Sequence, residues 1–140
     1  KTGYAGKISA CVEKLALGDR VRLLGWVSDK TLLSLYQHCE ALVFPITAVP
    51  DDIEGFGMVA IEAAAAGRPT IAFDEGGVGN AVIEGLTGIL VRPGDHAAFC
   101  QALGEVLTGK RPFPHIRQAA REKFAWESRL SAYSEFLLPR

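Results

Sequence analysis

The 140 residues suffice for one hydrophobic core and are too few for two. With 49% hydrophobic residues and a formal charge of -1, the composition is that of a soluble globular unit and exerts no general pull on nucleic acid. Cys11, Cys39 and Cys100 stand far apart without a Cys-x-x-Cys pair, which argues against a disulfide framework or zinc site and for a reducing cytosol.

Along the chain, the segment from Lys1 to Lys7 lacks the apolar core of a signal peptide, and no apolar run approaches the ~20 residues that span a bilayer. Ile8, Cys11, Val12 and Leu15 recur at helical spacing, and Val21-Arg-Leu-Leu24 then reads as a short strand ending at Gly25-Trp26. Ser28 suits the N-cap of a second helix with Leu32, Leu35, Tyr36 and Cys39 on one face. Ala41-Leu-Val-Phe44 is an apolar run of the kind found in strands buried on both faces.

Residues 45–54 read as a loop, because Pro50, Asp51 and Asp52 interrupt any period, and a helix over 58–66 stops at Gly67 with Pro69 just beyond. Thr70-Ile-Ala-Phe73 is the next strand. Gly76-Gly77-Val78-Gly79-Asn80 leads through a short helical turn to a strand at Gly88-Ile-Leu-Val91, and Asp95 caps a helix bearing Phe99, Leu103 and Val106. Two helical stretches follow, with Ile116, Ala120 and Phe124 on one and Leu130, Tyr133 and Leu137 on the other. Lys110-Arg111 and the Arg117, Arg121 and Lys123 group read as solvated helix faces without a stacking platform for bases, so no nucleic-acid partner is expected.

Alternating helices and short apolar strands predict an α/β domain with a Rossmann-like open parallel sheet covered on both faces. Four strands are counted, fewer than an open doubly wound domain usually has, and the order opens on a helix, so the first strands of the domain are expected upstream.

Chemistry concentrates at Glu54-Gly-Phe-Gly-Met-Val-Ala-Ile-Glu62. The helix around Glu62 is apolar on every face, so Glu62 is expected in a dry place where it reaches a cleft or has a dedicated hydrogen-bond partner. A ribose diol can donate both hydroxyls to one carboxylate. Gly55 and Gly57 stand just before the helix, where backbone N–H groups and the helix dipole favour a diphosphate. Alternatively, Glu54 is a loop carboxylate, Glu62 is salt-bridged and the glycines shape a turn. Five such features at one strand end favour a ligand site.

With Gly67-Arg-Pro-Thr70, this segment resembles the Glu-x7-Glu signature of retaining glycosyltransferases of the family 4 type (group 1), which have the GT-B fold. The resemblance extends to Leu-Gly-Trp-Val, Leu-Ser-Leu-Tyr, Ala-Leu-Val-Phe-Pro, Gly76-Gly77, Thr87-Gly88-Ile-Leu-Val and Phe124-Ala-Trp126, and so covers nearly the whole chain. It implies that Glu62 binds the donor ribose, that Gly55 and the amides of Phe56, Gly57 and Met58 hold the diphosphate, and that Glu54 contacts hydroxyls of the donor sugar and is the catalytic candidate. It also implies that the base lies against Trp26, Val27 and Ser28, with core packing an equal alternative for Trp26. Residues 1–140 are then part of a donor-binding domain. The first strands with their basic pair, and an N-terminal domain that binds a glycan or lipid-linked acceptor, lie outside this sequence. Family members commonly carry an acidic residue where this chain has Asn80.

The expected reaction is retaining transfer of a sugar from a nucleoside-diphosphate sugar to a hydroxyl acceptor, with no cofactor and no metal, in the cytoplasm or at the inner face of a membrane. Asp52-Ile-Glu54 is too sparse for a magnesium site, and the scattered His38, His96 and His115 are surface or satisfied residues. Gly76-Gly77-Val78-Gly79 departs from the dinucleotide pattern, which disfavours hydride transfer. A non-catalytic nucleotide-sugar-binding or assembly module and a GT-B-type sugar epimerase are the alternatives.

Overall fold

The computed structural model describes residues 3–47, 55–127 and 130, and the chain divides into two compact units, residues 1–32 and 33–140. In the first unit, α1 (Tyr4–Lys14) carries Ile8 and Cys11 as expected and ends at a turn through Ala16 (φ 53°). None of its residues is buried within the described structure. Ser28 then caps α2 (Asp29–His38), which continues into the second unit: its Oγ accepts from the Thr31 amide at 3.3 Å.

The strand expected at residues 21–24 does not form. Leu23 and Leu24 are about half exposed, and no ladder of hydrogen bonds runs along this segment among the described residues. An apolar run supplies the side chains of a strand, but the strand itself requires a neighbour for its N–H and C=O groups.

In the second unit the order is β1 (Leu42–Phe44), α3 (Met58–Ala65), β2 (Thr70–Phe73), α4 (Val78–Ala81), β3 (Gly88–Val91), α5 (His96–Leu107) and α6 (Ile116–Phe124). Three parallel strands run in the order β1-β2-β3, with Phe44 opposite Ala72 and Ala72 opposite Leu90. The expected architecture holds, with three described strands in place of four. Alternation along each strand divides the core. Ile71, Phe73, Ile89 and Val91 face Phe99 and Ala102 of α5, while Leu42, Phe44, Ala72 and Leu90 face Ala60 of α3 and Val78 and Ala81 of α4.

Covered on both faces, β2 is buried at all four positions. β1 departs from that expectation: Val43 is 45% exposed, because it shares the face of Ile71 whereas α5 packs over β2 and β3. Asp95 caps α5 as anticipated, its Oδ1 accepting from the Ala98 amide at 2.9 Å. A third layer forms where Ile116 and Ala120 of α6 meet Ala64 of α3. The expected helix with Tyr133 and Leu137 lies outside the described residues.

Gly67 ends α3 in the left-handed region (φ 82°), and Arg117 lies across it, donating from Nη2 to the Ala66 carbonyl at 2.9 Å. Arg117 is therefore the cap of a helix C-terminus, not merely a solvated cation. No helix among the described residues is long and apolar enough to cross a membrane.

Candidate functional site

Both glycine-rich segments converge at the carboxyl ends of β1 and β2, where open parallel sheets bind ligands. Gly57 is the N-cap of α3 with φ 78° and ψ 48°, a conformation that glycine adopts without steric cost. A Cβ there would lie 3.3 Å from Phe44 Cε1 and 3.6 Å from Ala81 Cβ, so the loop is wedged between the end of β1 and α4. Gly77 meets the same loop from the other side. Its φ of -84° suits any residue, but a Cβ would overlap the Gly55 carbonyl oxygen and approach the Phe56 nitrogen to 2.8 Å. The two segments thus form one backbone-lined seat at the start of α3.

Helix geometry gives that seat its electrostatics. The N–H groups of Met58 and Val59 precede the first hydrogen-bonded turn of α3, which starts with the Ala60 N–H donating to the Gly57 carbonyl at 2.9 Å, and the dipole places about half a positive charge at this end. A cleft of about 510 Å³ opens alongside, lined by Phe56, Gly79, Asn80, Glu84, Lys123 and Phe124 among others. Phe56 and Phe124 meet edge to face across it, with ring centroids 6.5 Å apart. Glu84 is committed elsewhere, accepting from the Leu90 amide at 2.6 Å and pairing with Arg111 at 3.0 Å.

Glu62 stands one turn along from Met58 on the same side of α3. It is exposed, together with Met58 and Ala65, whereas Ala60, Ala63 and Ala64 are buried. The dry environment expected for Glu62 is therefore corrected. The helix packs on β1, β2, α4 and α6, which leaves one stripe uncovered, and Glu62 lies on it. A dedicated partner is nevertheless present: the Tyr36 hydroxyl donates to Glu62 Oε2 at 3.0 Å. The pKa of Tyr36 is raised from 10.0 to about 12, first by burial, then by the hydrogen bond and the charge of Glu62, with a further contribution from Cys39. Tyr36 therefore remains a neutral donor at physiological pH.

Of the other anticipated positions, Glu54 lies outside the described residues. Trp26, Val27 and Ser28 belong to the first unit. Trp26 is fully exposed and packs in no core among the described residues, and the Ser28 hydroxyl is occupied as the α2 cap. His38 Nδ1 bonds the Ser34 carbonyl oxygen at 2.7 Å, His96 contacts the Phe73 ring and His115 is the exposed N-cap position of α6. Among the described residues, no group of three or more His, Cys, Asp or Glu side chains could hold a metal ion.

Two contacts at the candidate site escape sequence reasoning. Tyr36 and Glu62 are 26 residues apart, and the helical period places Tyr36 only on an apolar face. The Gly77-to-Gly55 approach has no local signal beyond a surplus of glycine.

The family model described as "Glycosyl transferases group 1" matches residues 3–123. A glycogen synthase from Mycobacterium tuberculosis (strain CDC 1551 / Oshkosh) is 35% identical over 121 residues, covering 84% of this chain and 28% of that protein. A D-inositol 3-phosphate glycosyltransferase from Corynebacterium diphtheriae is 36% identical over 131 residues, covering 89% of this chain and 30% of the relative. Among solved structures, sucrose-phosphate synthase from Thermosynechococcus elongatus superposes with a TM-score of 0.74 at 32% identity, over 93% of this chain and 32% of that one. Anabaena HepE, solved with UDP, shares the fold at a TM-score of 0.71 and 23% identity, over 96% of this chain and 36% of that one. The chain thus spans about 30% of the length of these curated relatives.

Proposed function

Because the chain belongs to the group 1 glycosyl transferases, we propose that it supplies the donor site for transfer of a sugar from a nucleoside-diphosphate sugar to a hydroxyl acceptor. The observation that carries this reading is the backbone seat made by Gly55, Gly57 and Gly77 at the start of α3. Such a seat accepts a group that is anionic and needs close approach to main-chain N–H groups, as a diphosphate does. Glu62, one turn further along, then receives the ribose hydroxyls, and Glu54 contacts the donor sugar.

Chemically, breaking the bond between sugar and phosphate leaves negative charge on the departing diphosphate. N–H groups and a helix dipole already aimed at that position stabilise the charge without reorganising. We assign transfer with retention of anomeric configuration, without a metal, on the resemblance carried by Glu54 and Glu62. Base contact is assigned to Trp26 and Val27, with Trp26 offering a fully exposed ring. The acceptor, a glycan or lipid-linked hydroxyl, is bound by parts of the protein beyond these 140 residues, which alone turn over no donor. A cytoplasmic setting, with access to the inner face of a membrane, accords with three cysteines in no evident framework.

Calorimetry of the complete protein with UDP-, GDP- and ADP-linked sugars tests this reading. One family of nucleotides is expected to bind, more weakly but still measurably in Glu62→Ala. Absence of binding to all three, or turnover by the isolated 140 residues, would overturn the corresponding claim.

A further inference from the structure

Among the described aromatic residues near the seat, Tyr36 directs its polar atom at a proposed ligand-binding group, Glu62. α2 delivers it half-buried, with Cys39 beside it and the Tyr36 hydroxyl on Glu62 Oε2 at 3.0 Å. The end of α2 is held in place, since Arg68, next to the Gly67 that terminates α3, donates to the Gln37 carbonyl. The hydroxyl is thus anchored on a different element from the carboxylate it meets.

Glu62 is an exposed glutamate on a helix, and such a side chain loses rotamer freedom when a ligand fixes it. A carboxylate offers about four lone-pair directions, and Tyr36 occupies one on Oε2. The described structure assigns no hydrogen bond to Oε1, so that oxygen and the remaining direction on Oε2 can meet two hydroxyls. We propose that Tyr36 is a positioning residue that pre-orients Glu62 to receive a vicinal diol, and that the pair thereby makes the site prefer ribonucleotides over 2′-deoxyribonucleotides. This rests on the assignment of Glu62 to the donor ribose.

The test uses the complete protein, calorimetry with UDP, GDP and ADP, and the 2′-deoxy form of whichever binds most tightly. The decisive quantity is the ratio of the deoxy to the ribo dissociation constant. In the unaltered protein it is expected to be about tenfold or more, and in Glu62→Ala close to unity. Tyr36→Phe, which keeps the ring, is expected to lower the ratio by about three- to tenfold while changing deoxy affinity less than about twofold. A merely structural clamp would instead weaken both nucleotides alike and lower the melting temperature. An unchanged ratio in Tyr36→Phe beside a collapsed one in Glu62→Ala overturns the positioning role alone. An unchanged ratio in Glu62→Ala removes the ribose contact, and the proposal with it.

Discussion

Gly77 shows how a single missing methyl group shapes this molecule. Its backbone angles suit any residue, yet a Cβ would overlap the Gly55 carbonyl. Backbone cannot yield as a flexible side chain does, so Gly77→Ala is expected to destabilise the fold by about 1–3 kcal/mol, as overpacking does. Urea denaturation would measure the stability loss. Nucleotide affinity should fall with it, because the two loops must separate to admit the methyl. Tyr36 makes the stability depend on pH at the alkaline end. Its pKa is raised, so folding favours its neutral form: that contribution is complete below the ordinary value of 10.0 and is lost as pH rises toward and through about 12. Tyrosinate absorbance across this range should show one tyrosine ionising late, and Glu62→Gln should bring its midpoint down by removing the carboxylate's charge.

At the scale of elements, local signals and packing share the work unevenly. α5 has a complete local specification, with Asp95 at the cap and Phe99, Leu103 and Val106 at helical spacing. Removing the cap with Asp95→Ala is expected to cost about 1 kcal/mol, visible as a lower urea midpoint with an unchanged slope. α3 has a weaker local specification: a left-handed glycine N-cap without a side-chain hydrogen bond, followed by a run of alanine. Its position is set by tertiary partners, including Ile116 and Ala120 of α6 and the Arg117 bond to the Ala66 carbonyl. Those partners also explain why the apolar run of α3 does not bury Glu62. Small side chains permit close packing on several sides, and the stripe through Met58, Glu62 and Ala65 is the side left over.

Across the whole molecule, the sheet of the second unit joins the α5 layer to the α3 and α4 layer, and Phe73 is the central weight-bearing residue on the α5 side. It is 1% exposed, with its ring 4.8 Å from that of Phe99 and 5.5 Å from that of His96. Phe73→Ala is expected to cost about 3–5 kcal/mol, and chemical denaturation should show most of the stability of the second unit gone. Three strands, their parallel direction and the helices on both faces were legible from residue patterns, because buried parallel strands must be apolar on both sides and their connecting helices amphipathic. The turn glycine Gly57 before α3 was legible too, since glycine is conspicuous where the backbone must be left-handed. The sequence pattern could not tell that residues 21–24 would lack a ladder, since strand formation depends on a neighbour that no local period records. Nor could it tell that Val43 faces outward, that Glu62 is exposed, that Tyr36 meets Glu62, or that Gly77 closes on Gly55. Each of these depends on which surfaces remain after elements far apart in the chain have packed, a property of their three-dimensional arrangement and not of any segment.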